Sequence, residues 1–321
     1  MFRLTLVPAN TAFDFMRRRM LFFAFSAALV LSSVALFLTV GLSYGIDFKG
    51  GIMIEVRDTS GPADIAGMRT ELGSLGLGEV ALQEFGEPTD VLIRIQKQEG
   101  DEGAQNAAVG LVKATLGDKY EYRRTEFVGP KVSDELFWDG LMAIGLALGG
   151  ILVYIWFRFE WQFGVGAIIA LTHDVISTVG LFALIQHEFN LATVAAVLTI
   201  AGYSINDTVV VFDRVRENMR KYKTMPFAEL LNLSINGTLS RTSLTSFTTF
   251  LALLSLYVFG GEIIRDFAFA MIWGILVGTY SSICVAVPML LYFNIRRDGF
   301  DPNDAAADDA AIARAHVTKG D

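Results

Sequence analysis

Ionisable side chains stand inside long apolar segments of this sequence, where charges are costly. Asp207 interrupts the run AGYSINDTVVVFD, and Asp213, the last residue of that run, is expected at the cytoplasmic interface. The helical rise between them is about 9 Å, which the short aspartate side chain cannot easily span to reach water. A charge at mid-membrane costs on the order of 2.5–3.5 kcal/mol on insertion scales. Asp207 is therefore expected to be buried in protein and protonated, paired, or in a mixture of these states.

A cation stands at the start of the next apolar run. Arg241 lies in LSRTSLTS, and the two runs are expected to be antiparallel with both residues in their cytoplasmic halves. A pair is therefore allowed, although the intervening segment does not require the helices to touch. A guanidinium favours the ionised carboxylate, whereas burial favours the protonated one. Movement of Arg241 would then switch Asp207 between holding and releasing a proton. The alternative is a fixed salt bridge, or an arginine at the level of lipid phosphates.

A second carboxylate lies in ALTHDVIST, near the middle of another run. Asp174 is a second proton-carrier candidate, whereas His173 is either part of the relay or hydrogen-bonded and neutral. Adjacent helical residues point about 100° apart, so the two need not form a pair. Hydroxyl and amide side chains near Asp207 and Arg241 either join helices or hold a file of water. They are Ser204, Asn206, Thr208, Asn232, Ser234, Asn236, Ser240, Thr242, Ser243 and Thr245.

These residues require an apolar scaffold, and the composition provides one. Hydrophobic residues make up 53% of the 321 residues and charged residues only 19%, against about 25% charged in soluble domains. Six runs are long enough to cross a hydrocarbon core of about 30 Å. The predicted transmembrane helices are 20–45, 136–157, 162–186, 189–212, 241–260 and 267–294. Glycine pairs four residues apart, Gly145 with Gly149 and Gly274 with Gly278, are weak indications of close helix packing.

Cations are distributed unevenly between the connecting segments. They cluster in segment 1–19, in a predicted loop 213–240 and at the start of tail 295–321, which we expect to be disordered. The other short loops offer only His187 and Arg265. The positive-inside rule therefore places both termini in the cytoplasm and residues 46–135 in the periplasm. The expected location is the cell inner membrane, as a multi-pass protein.

The 46–135 insert has the pattern of a folded domain. Ile52, Ile54 and Val56 alternate as in a strand, and the whole segment predicts the order β-α-β-β-α-β of a ferredoxin-like fold. The fold class is thus a polytopic α-helical membrane protein with an inserted α+β domain. The insert has no metal, phosphate or nucleophile motif, which favours a binding or lever domain over an enzyme. The single cysteine, Cys284, excludes an intrachain disulfide, and the net charge of −8 does not favour nucleic acid as a partner.

Several motifs resemble the SecD/SecF family, a branch related to the RND transporters, and in particular its SecF-type members. They are GIDFKGG (45–51), FVGPKV (127–132), HD (173–174), AGYSINDTVVVFDRVREN (201–218) and NLSINGTLSRTSLT (232–245). The resemblance covers nearly the whole chain apart from the acidic tail and the middle of the insert. Motif positions that it singles out are Asp47, Lys49, Gly50, Gly51, Gly129, Pro130, Gly202, Asn206, Asp213 and Arg214.

This resemblance implies partners and a role. It implies a heterodimer with SecD that associates with the SecYEG channel and YajC, and that acts on unfolded preprotein after the ATPase SecA. It also implies that Asp207 is the proton-relay aspartate and Arg241 its arginine, with H⁺ as coupling ion, Na⁺ left open and no cofactor. The proton-motive force would then promote translocation and release on the periplasmic side. The alternatives are a passive translocon scaffold and half of a small-solute RND exporter. The small size of the insert argues against the exporter, because such exporters have much larger extramembrane domains.

Overall fold

The computed structural model describes residues 11–78, 80–100, 102–293 and 295. The chain divides into two compact units. The helical unit contains the described residues up to 42, residues 144–187 and those from 192 onward, and the sheet unit contains residues 43–143 and 188–191. The predicted disordered tail, 295–321, lies outside the described residues except for Ile295.

The described chain alternates long helices with a compact set of short elements. In chain order these are α1 (Arg19–Thr39), β1 (Ser43–Tyr44), α2 (Ile46–Lys49), β2 (Gly51–Asp58), α3 (Ile65–Gly73), β3 (Val80–Phe85), β4 (Glu87–Ile95), α4 (Glu102–Leu116), β5 (Tyr120–Val128), α5 (Pro130–Arg158), α6 (Trp161–Ile185), β6 (Glu188–Phe189), α7 (Leu191–Lys221), α8 (Phe227–Phe259) and α9 (Gly261–Ser281). A π-helical turn, Ser282–Ala286, follows α9, and two short helical turns then reach Tyr292.

In the described part of the chain, six helices are long and apolar enough to cross a membrane: α1, α5, α6, α7, α8, and α9 with the turns that follow it. Their burial separates them into two groups. In the most apolar window of α6, α7 and the α9 segment, 50%, 56% and 72% of the residues are buried, against 11% in α1, α5 and α8. The first three are therefore the inner helices of the unit, and the other three present apolar surface outward.

The structure corrects the predicted loop at 213–240. Helix α7 continues to Lys221, and α8 begins at Phe227. The extensions are helical because they are amphipathic: Val215, Leu230 and Leu231 are fully buried in the core of the helical unit. Hydropathy marks only the part of a helix that is apolar on all sides, so it ended α7 early and started α8 late.

Aromatic rings fill the centre of that core. Phe163 of α6 and Phe212 of α7 are fully buried, with ring centroids 5.2 Å apart in an edge-to-face arrangement. Gly166, one turn further along α6, lies against the backbone of the π-helical turn, where an added Cβ would lie 3.1 Å from the carbonyl oxygen of Ala286. Such close packing fixes the positions of α6, α7 and the π-helical turn, which carry the polar residues described below.

The sheet unit is built on a four-stranded antiparallel sheet in the order β3-β4-β2-β5. Its strands and two helices follow the order strand, helix, strand, strand, helix, strand. Ile52, Ile54 and Val56 are fully buried and pack with Met68 of α3 and Val112 of α4. The alternation along β2 therefore places one face of the sheet against both helices. A separate parallel pair, β1 with β6, joins Ser43–Tyr44 to Glu188–Phe189.

Candidate functional site

Asp207 lies in the middle of inner helix α7 and is 3% exposed. Its Oδ2 has no hydrogen-bond partner. Two side chains act on its carboxylate: the guanidinium of Arg241 through charge and the side chain of Thr279 through a polar contact. The sequence-based expectation that Asp207 is buried in protein therefore agrees with its position in the fold.

Arg241 lies on α8 and is exposed on the surface of the chain. Among the residues that the structure describes, no ion pair joins Arg241 to Asp207. The charge interaction between them thus acts over a longer distance than a contact pair. A guanidinium that is exposed and not fixed to one carboxylate can change its distance from Asp207 without breaking a salt bridge.

Asp174, on α6, is fully buried and has hydrogen-bonding neighbours on both oxygens. Its Oδ2 accepts hydrogen bonds from Ser204 Oγ at 2.6 Å and Ser281 Oγ at 2.7 Å. Its Oδ1 lies 2.9 Å from Nδ1 of His173, so these adjacent residues do interact although helical geometry does not require it. The three partners lie on α6, α7 and α9, which makes Asp174 the polar junction of the three inner helices.

His173 is 4% exposed and uses one ring nitrogen for Asp174, while its Nε2 has no hydrogen-bond partner. The ring borders an apolar cavity of about 370 Å³ between α1, α6 and the turns after α9. Close by, the hydroxyls of Thr208 and Ser282 lie 2.8 Å apart and link α7 to the π-helical turn. π-Helical turns are frequent at functional sites.

The remaining motif residues of α7 divide into ion pairs and open surface. Arg158 Nη2 lies 2.8 Å from both carboxylate oxygens of Asp213, and Arg214 pairs with Glu217 at 2.7 Å. Gly202 and Asn206 are exposed, and a Cβ on Gly202 would meet no atom within 4 Å. Asp213 and Arg214 thus lie in surface ion pairs, and Gly202 with Asn206 leaves a shallow strip on α7.

Asn232 and Asn236, which the sequence grouped with the polar side chains near Asp207 and Arg241, bind the segment before α1 instead. Asn232 accepts a hydrogen bond from the Met16 amide and donates to Asp14. Asn236 bonds both the amide and the carbonyl of Phe13. These two side chains therefore hold the segment before α1 against α8. The pKa of Asp14 is lowered chiefly by the hydrogen bond from the Arg17 amide and, to a smaller extent, by the one from Asn232.

In the sheet unit, the GIDFKGG motif is explained by backbone geometry. Asp47 Oδ2 accepts the amide of Leu191, the first residue of α7, at 2.9 Å. Gly50 and Gly51 have φ angles of 68° and 122°, and a Cβ on Gly51 would lie 2.6 Å from the carbonyl oxygen of Ile95. Both positions therefore require glycine. The side chain of Lys49 is exposed.

Gly129 and Pro130 mark the start of α5. The amide of Ser133 bonds the carbonyl of Gly129 at 2.9 Å, and Pro130 is the first residue of the helix. Proline is favoured at that position because its missing N–H would be unpaired there anyway. The motif FVGPKV is thus a strand-to-helix junction.

Several polar partners have no signal in the sequence. Arg94 pairs with Glu188 at 2.7 Å in the sheet unit, and Arg57 contacts both oxygens of Asp90 at 2.6 Å. The Arg57 hydrogen bonds hold the pKa of Asp90 below its ordinary value. In the helical unit, Ser281 and Thr279 were not singled out. No group of three or more His, Cys, Asp or Glu side chains in the described part of the chain could hold a metal ion.

Comparison with known proteins agrees with these motifs. The family model for the C-terminal part of protein export membrane protein SecD/SecF matches residues 109–296, and the model of the SecD/SecF GG motif matches residues 35–57. A Rhodobacter capsulatus protein named protein translocase subunit SecF is 47% identical over 94% of this chain and 96% of its own length. Relatives of this kind are named as translocase subunits and not as enzymes.

Longer relatives named SecDF align with this chain over part of their own length. A Brucella abortus protein named SecDF is 44% identical and covers 98% of this chain, which spans 41% of the relative. The crystal structure of the translocon-associated membrane protein SecDF from Thermus thermophilus has a TM-score of 0.81 and 36% identity, over 92% of this chain and 40% of that one. A structure of SecDF in a super-membrane-facing form gives a TM-score of 0.67 at 35% identity, over 97% and 41%.

These matches support a role in Sec protein export, a SecD partner and a multi-pass protein of the inner membrane. A family model covers more than half of the chain, and the relatives align from near one end to the other. The chain belongs to the SecD/SecF family of protein-export membrane proteins.

Proposed function

We propose that this chain pairs with SecD and uses the proton-motive force to promote translocation of preprotein and its release on the periplasmic side. The observation that carries the proposal is Asp207: a carboxylate 3% exposed on an inner helix, with one oxygen free of hydrogen bonds. Buried acidic residues in membrane helices mark proton and ion pathways. Asp207 is the proton-binding group of this proposal, and Arg241 is the charge that favours its ionised form.

Asp207 and Asp174 have different roles in this mechanism. Both oxygens of Asp174 already have hydrogen-bonding partners, and those bonds hold three helices together. A proton or a water molecule can reach Oδ2 of Asp207 without breaking an existing hydrogen bond. Asp207 therefore binds and releases H⁺, while Asp174 and His173 keep the inner helices in register beside it. A carboxylate near an arginine suits H⁺ as the coupling ion better than Na⁺.

The energy scale is adequate for a conformational change. One elementary charge that crosses a potential of 100 mV yields about 2.3 kcal/mol. About 5.5 kcal/mol moves a two-state equilibrium from 1:99 to 99:1. About three protons per cycle at 100 mV would therefore be sufficient.

The remaining parts of the proposal concern orientation and partners. Both termini face the cytoplasm, and residues 46–135 form a ferredoxin-like domain in the periplasm. The strand order β3-β4-β2-β5 supports the ferredoxin-like fold. In this order β5, the last strand of the sheet in sequence, lies next to β2, the first. The assembly acts with SecYEG, YajC and SecA, and the periplasmic domain acts as a lever or binding surface for unfolded preprotein.

The test is Asp207→Asn, which preserves the size and removes the titration. Inverted membrane vesicles with SecYEG, SecA and the assembled SecD partner would be assayed for late-stage preprotein translocation, with and without a proton gradient. We expect the variant to lose the gradient-dependent part of the rate and to assemble normally. If the gradient still stimulates the variant as it does the wild type, Asp207 is a structural residue and the chain is a passive scaffold.

A further inference from the structure

Two hydrogen bonds fix how α7 and α8 lie against each other. Asn218 Nδ2 donates to Ser234 Oγ at 2.9 Å, and Tyr203 OH donates to Ser246 Oγ at 3.4 Å. As the residue number falls along α7 it rises along α8, so the helices are antiparallel. One turn forward from Tyr203 is Asp207, and one turn back from Ser246 is Thr242. Asp207 and Thr242 therefore lie at the same level on facing helices.

Both residues have a buried polar atom without a partner. Asp207 is 3% exposed and Thr242 is 2% exposed, and neither Oδ2 of the first nor Oγ1 of the second has a hydrogen bond. Buried polar groups in proteins are nearly always satisfied by protein atoms or by ordered water. A single water bonds two to four such groups. Two unsatisfied oxygens at one level are what a bridging water requires.

Further hydroxyls continue from the same carboxylate. The side chain of Thr279 on α9 contacts Asp207. Thr279 Oγ1 lies 2.7 Å from Ser246 Oγ, which accepts from Tyr203 OH at 3.4 Å. A hydroxyl both donates and accepts a hydrogen bond, so a series of them can pass a proton along. The guanidinium of Arg241 is always protonated and acts on Asp207 only through its charge.

We propose that a water molecule bridges Asp207 Oδ2 and Thr242 Oγ1, and that Thr279, Ser246 and Tyr203 form a hydroxyl path that delivers protons to this carboxylate. The bridging water is independent of any role in export. The use of the path for proton delivery rests on the proposed function. The path runs along α7 from Asp207 toward Tyr203, that is, toward the Leu191 end of the helix.

The water is tested by infrared difference spectroscopy of the purified complex with SecD during a pH step. The Asp207 carboxyl band is assigned by its loss in Asp207→Asn. Thr242→Val removes the hydroxyl at nearly constant volume and should shift this band to higher frequency, as a weakened hydrogen bond requires. Thr242→Ser should leave the band in place, as should Thr248→Val, which removes an exposed hydroxyl of the same helix. A Thr242→Val band identical to that of wild type overturns the bridging water, and the absence of an Asp207-dependent band overturns proton delivery to Asp207.

The path is tested in translocation vesicles with Ser246→Ala and Thr279→Val. We expect each to reduce the gradient-dependent rate by about fivefold, as the loss of one hydrogen bond suggests, whereas Ser246→Thr and Thr248→Val keep it. An unchanged gradient-dependent rate in both path variants overturns the path. If Asp207→Asn itself retains gradient dependence, the proposed function fails, and the infrared result still decides whether the water is present.

Discussion

Asp174 and Asp207 differ more in their hydrogen bonds than in their burial. Asp174 is bonded through both oxygens to neighbours on three helices, whereas Oδ2 of Asp207 is free. A group that must gain and lose a proton in every cycle benefits from an oxygen that is not needed elsewhere. A group that holds helices together benefits from having hydrogen bonds on both oxygens. In the proposed function, Asp207 therefore exchanges the proton and Asp174 holds the inner helices together.

Asp90 of the sheet unit offers a pH-dependent test at the residue scale. Its pKa is lowered chiefly by the Arg57 hydrogen bonds, so the ionised form stabilises the fold above the unfolded-state pKa of about 3.9. That contribution is lost as the pH falls through the lower pKa of the folded state. We expect Asp90→Asn to destabilise the protein by about 1–3 kcal/mol at pH 7, and the difference from wild type to shrink below pH ~4.

Thermal unfolding of the detergent-solubilised protein, followed by circular dichroism at pH 7 and pH 3, would measure this difference. Asp118→Asn is a suitable control because its carboxylate is exposed. Equal destabilisation by Asp90→Asn at both pH values would show that charge pairing with Arg57 is not the cause.

The sequence identified Asp174 and Asp207 because an acidic residue in an apolar run is unusual wherever the helix packs. It could not identify their partners. Ser204, Ser281 and Thr279 have the composition of ordinary membrane-helix residues, and only the packing of α6, α7 and α9 brings them to the carboxylates. The sequence left open whether Asp207 and Arg241 form a pair, and the structure shows a charge interaction without an ion pair between them.

At the scale of elements, two glycine pairs with the same spacing in the sequence have different contacts in the structure. A Cβ on Gly274 would overlap the side chain of Ile200, and one on Gly278 would lie 3.5 Å from Asp174 Oδ2. Gly145 and Gly149 meet no atom within 4 Å. The pair on α9 therefore lies in a tight contact with α7, whereas the pair on α5 lies on open surface. The reason is that α9 is an inner helix and α5 an outer one.

The start of α7 gives a prediction for a single element. Asp47 accepts the amide of Leu191, which is otherwise one of the unpaired amides of the first helical turn. Removal of such a cap costs about 0.5–2 kcal/mol. We expect Asp47→Ala to accelerate hydrogen exchange at the amides of residues 191–194, measured by mass spectrometry, and Asp47→Asn to retain most of the protection.

Exchange at residues 230–235 of α8 serves as the internal reference, because that stretch should not change. If Asp47→Ala leaves residues 191–194 as protected as in wild type, the cap is supplied by another group and the motif aspartate has a different role.

At the scale of the whole molecule, the division into three inner and three outer helices leaves a large apolar surface on α1, α5 and α8. Hydropathy predicted all six helices, because membrane-crossing segments must be apolar whatever they contact. It could not distinguish inner from outer helices, since lipid and protein interiors accept the same side chains. The amphipathic ends of α7 and α8 were missed for the related reason that they are apolar on one side only.

The proposed orientation is a property of the whole molecule and can be measured directly. In a background with Cys284→Ala, which removes the only native cysteine, Glu99→Cys and Lys223→Cys each introduce one thiol at an exposed position. We expect a membrane-impermeant maleimide to label Glu99→Cys in intact spheroplasts and Lys223→Cys only after permeabilisation. Labelling in the reverse pattern would invert the topology.

The π-helical turn Ser282–Ala286 sets the direction of the short helical turns that follow it up to Tyr292. Such a turn holds more residues than an α-helical turn, so it rotates the rest of the segment by about 100° relative to a continuous α-helix. Val287 and Leu290, which follow the turn, are both fully buried. A deletion of one residue here would thus change the direction in which the final turns point as well as the length of the chain.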